Sequence, residues 1–165
     1  AYSVNLDCRS LDRVEVSTNE LIAYKLEPND LVFVRSSVKL EGVAIPTIFS
    51  GYDEEVIFCG FMIRFRSQST NIIPEYLREY LITDKPRILI QRIATGGANI
   101  NINQESLSEF KVLLPTKGEQ EYIVRMTKSA NVQIAKLIVK LKKFQSLKKS
   151  LMQDLLTGKV RVSVN

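Results

Sequence analysis

"EQEYIVRMTKSANVQIAKLIVKLKKFQSLKKSLMQDLL", residues 119–156, contains neither proline nor glycine. Its apolar side chains recur every three or four residues, which is the spacing of one face of an α-helix. At 1.5 Å per residue such a helix extends roughly 57 Å, much longer than one side of a small domain. The stretch therefore predicts a long C-terminal helix whose apolar face the rest of the chain cannot cover alone.

The apolar face of this helix follows a heptad pattern. From Ala130 to Phe144 the steps between apolar residues alternate between four and three, as in a coiled coil. Two successive steps of three at 141–144–147 interrupt the repeat, as a local overwinding would. The residues expected to pair with a second helix are Ala130, Ile134, Leu137, Leu141, Phe144, Leu147, Leu151 and Leu155. That helix belongs to another copy of the chain, to a missing half of it, or to a partner.

The net charge of +5 is unevenly distributed along the chain. Residues 1–116 carry 12 Lys and Arg against 15 Asp and Glu, whereas residues 117–165 carry 11 against 3. A basic segment of this kind faces a polyanion or an acidic protein surface, or it is the solvated face of a helix. The change of pattern predicts a globular domain over 1–116 and a long helix with a short tail over 117–165.

The first part mixes strand and helix signals. Runs rich in Val, Ile, Leu and Phe predict strands at 30–36, 55–66 and 110–115. Helical spacing predicts helices at 73–83, 85–94 and 104–109. Between them, residues 98–103 alternate Ile with Asn, a period of two. The predicted fold class is an α/β or α+β globular domain followed by a long coiled-coil helix.

Several chemistries are excluded by what the sequence lacks. It has no histidine, so His-dependent triads are ruled out. It has no Gly-x-x-x-x-Gly-Lys-Ser/Thr loop for ATP, and neither an Asn-Pro-Pro-Tyr/Phe element nor a Gly-rich methyl-donor loop. Cys8 and Cys59 form no CxxC pair, which favours two buried or free thiols over a zinc site. No cofactor, metal site or catalytic residue is expected.

No apolar stretch approaches the ~20 residues that a membrane span needs, and no cleavable signal is visible. We therefore expect a soluble, cytoplasmic protein that does not bind membranes.

Four stretches resemble one known family. They are "LEPNDLVFVRSSVKLEGVAI" (26–45), "IIPEYLREYL" (72–81), "ATGGANININQESLSEFKVLLPTKGEQEYIV" (94–124) and "LKKSLMQDLLTGKVRV" (147–162). In this order and spacing they are similar to the target-recognition half of a type I restriction-modification specificity subunit. The resemblance implies a target-recognition domain joined to a conserved helix, which pairs antiparallel with a second such helix to separate two DNA-recognising domains. Because full-length members carry two recognition domains, this chain resembles a half-subunit or a C-terminal fragment.

If the resemblance holds, DNA recognition comes from two loops. In the first loop Arg35 and Lys39 can contact phosphate or a guanine edge, and Ser36 and Ser37 can donate to phosphate. In the second, the candidates are Arg92, Thr95, Gly96, Gly97, Asn99 and Asn101, where the glycines let backbone N–H groups approach phosphates. The alternative is that both loops are ordinary turns with solvated polar side chains.

The resemblance also implies partners. These are double-stranded DNA, a DNA methyltransferase subunit docked on the long helix, possibly a restriction subunit, and a second copy of the chain or the other half of a longer subunit. Catalysis is expected in the partner subunits. The helix lysines, such as Lys136, Lys140 and Lys143, either keep a coiled coil in solution or face DNA or an acidic groove of the methyltransferase. A different class remains open: a coiled-coil adaptor whose globular domain binds protein.

Overall fold

The computed structural model describes residues 5–9, 11–97 and 99–163. Its helices are Thr18–Tyr24 (α1), Pro74–Leu81 (α2), Asp84–Ile93 (α3), Gln104–Ser108 (α4) and Lys117–Leu156 (α5). Its strands are Leu31–Val34 (β1), Ser36–Ser37 (β2), Pro46–Ile48 (β3), Met62–Phe65 (β4) and Ile100–Asn101 (β5). The chain divides into two compact units, residues 1–122, which we call the head, and residues 123–165. The predicted fold class, a mixed α/β domain followed by a long helix, is confirmed.

The head is built around a three-stranded antiparallel sheet with β1 in the centre, in the order β3-β1-β4. Side chains alternate between the two faces of a strand, so Leu31 and Phe33 share one face and Val32 lies on the other. Both faces are covered. The core cluster on the first face comprises Leu31, Phe33, Val43, Ala44, Ile48, Ile63, Leu77, Leu81, Ile90 and Ile102. The cluster on the second face comprises Cys8, Leu26, Val32, Phe49 and Val56.

A partly buried ion pair ties the start of β1 to the end of β4. Asp30 is 1% exposed and accepts hydrogen bonds from Nε and Nη2 of Arg66, each at 2.7 Å. Its carboxylate also accepts the backbone N–H of Glu27 at 2.7 Å, which closes the turn before β1. The hydrogen bonds from Arg66 to Asp30 raise the pKa of the guanidinium.

The start of α5 is fixed inside the head by two devices. Thr116 and Glu119 form a capping box: the Glu119 carboxylate accepts from Thr116 N at 2.9 Å, and Glu119 N donates to Thr116 Oγ1 at 3.4 Å. The Thr116 hydroxyl also donates to this carboxylate at 2.7 Å, and this bond, followed by the one from Thr116 N, lowers the pKa of Glu119. Gln120 is fully buried; its Oε1 accepts from Ile73 N at 3.0 Å and its Nε2 donates to Asn71 O and Pro115 O, each at 2.9 Å.

Two sequence-based strand predictions are corrected. Residues 110–115 form no strand. Phe110 and Val112 pack against the core. The backbone of this segment hydrogen-bonds to a side chain: the Tyr76 hydroxyl donates to Leu113 O at 2.9 Å. The predicted strand at 55–66 is reduced to Met62–Phe65, preceded by a turn in which Met62 N donates to Cys59 O at 3.0 Å.

Neither cysteine is in a disulfide; Cys8 is buried and Cys59 is exposed. Burial raises the pKa of the Cys8 thiol. Within the described residues, no helix combines the length and the apolar character that crossing a membrane would take.

Candidate nucleic-acid interface

The two loops predicted to contact DNA are joined by backbone pairing. Strand β2, from the first loop, pairs antiparallel with β5, from the second, with Ser36 opposite Asn101 and Ser37 opposite Ile100. Beside this pair, the Arg35 carbonyl accepts from Ile102 N at 3.0 Å, and the Arg35 N–H donates to Phe61 O at 2.9 Å. Three chain segments therefore meet at Arg35, and we call residues 35–39, 59–61 and 92–102, which include the end of α3, the loop junction.

The first loop is held at its base by Arg87 of α3. This side chain is 9% exposed, and its guanidinium donates to the carbonyls of Glu41, Val43 and Ala44 at 3.1, 2.8 and 3.2 Å. Glu41 lies in a short 3-10 turn, Leu40–Gly42, and Ala44 has a positive φ of 50°. Because the side chain is buried and donates to three backbone carbonyls, its role is to position the loop.

The second loop is closed by Thr95 and Asn101. Each donates its backbone N–H to the carbonyl of the other, at 2.8 and 2.9 Å. The Asn101 amide Nδ2 also donates to Asn99 O at 3.0 Å, so part of its hydrogen-bonding capacity is used within the loop. The Asn99 side chain is exposed and makes no hydrogen bond within the described part of the chain.

Neither Gly96 nor Gly97 is needed for the conformation of the free loop. A Cβ atom at Gly96 would meet nothing within 4 Å, and one at Gly97 would lie 3.7 Å from Asn99 O, an ordinary contact. Neither has a positive φ. Any requirement for glycine at these positions must therefore come from a ligand that approaches the backbone.

The segment 59–61 was not predicted as part of the site. It carries the acceptor for Arg35, whose Nη1 donates to Gly60 O at 3.1 Å, and it exposes Phe61 to 72%. Gly60 and Arg35 lie 25 residues apart in the sequence, so no local pattern indicated this contact. Phenylalanine and arginine are common at nucleic-acid interfaces, but only the fold brings Phe61 next to Arg35.

The basic side chains of the junction are exposed, whereas the serines are not fully so. Arg35, Lys39 and Arg92 are exposed, and Ser36 and Ser37 are half-buried. Ser37 Oγ accepts the backbone N–H of Lys39 at 3.2 Å. No ion pair of Lys39 or Arg92 lies within the described residues. Residues 34–42 and 92–103 contain these three basic residues and one acidic residue, Glu41. The local charge is therefore positive, although the head as a whole is net acidic.

The face of α5 that was predicted to pair with another helix is exposed. Ile134, Leu137, Leu141 and Phe144 are between 52% and 64% exposed, and Leu147, Leu151 and Leu155 are between 43% and 53% exposed. Ala130 is exposed as well. Forty residues of continuous helix give α5 a length of about 60 Å.

The two loops predicted to contact DNA meet at one surface, where the local charge is positive. Within the described residues, no group of side chains could hold a metal ion. A comparison with protein families gives the class of the protein. Residues 15–149 match the family model for the type I restriction modification DNA specificity domain. The match covers most of the chain, and the protein belongs to this family, whose members are in general non-catalytic. Membership implies DNA binding and association within a type I complex.

Proposed function

We propose that the head recognises one half of a DNA target by placing the loop junction against base edges and phosphates of the duplex. The main support for this proposal is the pairing of β2 with β5. It joins two loops that are more than 60 residues apart in the chain into one surface. Short irregular loops recognise bases only when a scaffold fixes them. The Arg87 hydrogen bonds and the two core clusters are that scaffold.

Roles within the junction follow from side-chain chemistry. Arg35 and Arg92 suit a guanine edge or a phosphate, and Lys39 suits a phosphate. Asn99 suits an adenine edge, because its amide can donate and accept at once. The full set proposed to contact DNA is Arg35, Ser36, Ser37, Lys39, Arg92, Thr95, Gly96, Gly97, Asn99 and Asn101. Since the positive charge is local, the chain alone should bind weakly and with a strong dependence on salt.

The proposed role of the long helix is to hold the specificity component and its partner subunits together. In this proposal residues 1–116 recognise the half-site, and residues 117–165 pair with a second helix and dock the methyltransferase subunit, which supplies the chemistry. The exposed apolar face from Ala130 to Leu155 supports a role in pairing, because a surface of this size is costly to leave in water. Lys136, Lys140 and Lys143 of the same helix complement an acidic surface on the methyltransferase or on DNA.

A gel-shift experiment with a pool of random-sequence duplexes tests the proposal, using the full chain with and without its methyltransferase subunit. We expect a complex that tolerates excess non-specific competitor, and Arg35→Ala or Arg92→Ala should reduce it. Arg13→Ala is the matched control, because Arg13 is exposed, pairs with Glu54 at 2.8 Å and lies outside the junction. Binding without sequence preference, or equal losses for all three variants, would contradict the proposal and favour a protein-binding adaptor.

A further inference from the structure

Phe61 lies at the surface of the loop junction and is 72% exposed. The neighbouring apolar residues of β4 and β1 are in the core, where Ile63 is 6% and Phe33 is 3% exposed. Single exposed apolar residues are common on proteins, so exposure alone assigns Phe61 no role. Its position beside Arg35 distinguishes it from the other exposed apolar residues of the head.

The antiparallel register of β1 and β4 sets Phe61 opposite Arg35. The last registered pair is Val34 with Met62, so the next position of the same register joins Arg35 and Phe61. The Arg35 N–H donates to Phe61 O at 2.9 Å, as expected for such a pair. Residues directly opposite each other carry their side chains on one face, with Cβ atoms roughly 4.5–5.5 Å apart. The guanidinium and the ring therefore belong to the same side of the junction.

Both residues are held in place by hydrogen bonds within the head. Met62 N donates to Cys59 O at 3.0 Å, which closes a turn that contains Phe61. The Arg35 guanidinium donates through Nη1 to Gly60 O at 3.1 Å, which uses one of its five N–H donors. A guanidinium held in one orientation suits the two acceptors of a guanine edge, because both must be met at once.

The position of Arg35 decides which part of the DNA the ring can reach. The two acceptors of guanine, O6 and N7, lie in the major groove. Successive base pairs are about 3.4 Å apart, so a ring beside this arginine lies against the base pair next to the guanine. The C5 methyl of thymine is the apolar group that a base edge presents in the major groove, and its burial against a ring is favourable.

We propose that Phe61 recognises a thymine in the base pair next to the guanine contacted by Arg35, by packing its ring against the C5 methyl. The inference rests on the proposed function and adds a specificity residue and the chemical group that it recognises. Cytosine at the same position lacks the methyl, and its N4 amino group would lose water beside the ring without gaining a hydrogen bond. Phe61 therefore selects thymine over cytosine.

Deoxyuridine tests the contact, because it differs from thymidine by the C5 methyl alone. The half-site is first selected from random duplexes by the full chain with a methyltransferase subunit. Each thymine of either strand is then replaced singly by deoxyuridine, and the dissociation constants are measured. We expect one replacement to weaken binding about fourfold, the effect of burying one methyl-sized group. It should lie next to the guanine at which Arg35→Ala relaxes the preference.

Variants of Phe61 connect the methyl group to the ring. Phe61→Ala should bind the thymine duplex more weakly and should no longer distinguish it from the deoxyuridine duplex, whereas the apolar Phe61→Leu should keep part of the difference. Val38→Ala is the matched control, because Val38 is 80% exposed in the first loop of the same junction, and it should leave the fourfold difference unchanged. Urea unfolding should give both Phe61 variants the midpoint of the wild type, because the ring is exposed.

Three results would overturn the inference while sequence selection remains. The first is a half-site in which no thymine methyl affects binding. The second is a difference between thymine and deoxyuridine that persists in Phe61→Ala. The third is a rise in the fluorescence of 2-aminopurine at the neighbouring position that depends on Phe61, which would show that the ring inserts between base pairs. If no half-site is selected at all, the proposed function itself fails.

Discussion

Replacing Arg87 by methionine should lower the free energy of unfolding of the head, because it removes a buried group that holds the base of the first loop. Methionine keeps much of the aliphatic stem but removes the guanidinium that donates to Glu41, Val43 and Ala44 at 3.1, 2.8 and 3.2 Å. The bonds to Val43 and Ala44 are buried, whereas the one to Glu41 is partly open to water. A hydrogen bond from a charged donor contributes about 1.5–3 kcal/mol, so the loss of two buried ones should lower the free energy of unfolding by at least about 3 kcal/mol.

Urea unfolding followed by tyrosine fluorescence measures this loss. The chain has no tryptophan, and all six tyrosines lie within residues 1–122, so the signal reports the head, including the first turns of α5. With a slope of about 2 kcal/mol per molar urea, the midpoint should fall by about 1.5 M while the slope stays the same.

Arg92→Met is the matched control on the same helix. Arg92 is exposed, and a surface substitution of this kind changes the free energy of unfolding by less than about 0.5 kcal/mol. It should instead weaken DNA binding, because Arg92 is proposed to contact the duplex. The reasoning is refuted if Arg87→Met unfolds at the urea concentration of the wild type, or if Arg92→Met loses the larger amount of stability.

Three further predictions concern the start of α5 and the loop junction. Gln120→Ala leaves three backbone groups without their partner and should lower the free energy of unfolding by about 2 kcal/mol in the same urea assay. The control Glu121→Ala, at an exposed position, should change it by less than about 0.5 kcal/mol, and equal effects would show that the Gln120 hydrogen bonds do not stabilise the head. The pKa of Glu119 lies below its ordinary value of 4.5, so its stabilising effect is present above that pH and is lost as the pH falls. Glu119→Gln should therefore make the helix content, measured by circular dichroism, depend less on pH in the acid range. An unchanged pH profile would argue against the capping role. Lys39→Ala should reduce the slope of log affinity against log salt by about one and weaken binding to all sequences alike, whereas a change in the preferred sequence would assign Lys39 to a base.

The long helix was predictable from the sequence because its signal is local. A heptad repeat and the loss of Pro and Gly are visible within any window of a few turns, and α5 begins at Lys117, close to where the charge pattern changes. Helices α2 and α3 were predicted for the same reason, and their bounds differ from the predicted ones by one or two residues.

The loop junction was not predictable in the same way. The pairing of Ser36 with Asn101 joins residues 65 positions apart, and neither local propensity nor periodicity carries information about such contacts. The segment 110–115 was predicted as a strand because an extended, apolar chain has the same composition whether its backbone bonds another strand or side chains. Here the carbonyls of Leu113 and Pro115 accept from Tyr76 and Gln120, which local pattern could not indicate.

Selection of bound sequences from a random duplex pool, by the full chain assembled with a methyltransferase subunit, tests whether the loop junction determines DNA specificity. We expect one half-site sequence to be enriched, and we expect Asn99→Ala to relax the preference at one base position while the others keep theirs. The matched variant Asn131→Ala, on the long helix, should leave the selected sequence unchanged. If no sequence is enriched, or if Asn99→Ala selects the same sequence with the same stringency, the loop junction does not determine DNA specificity.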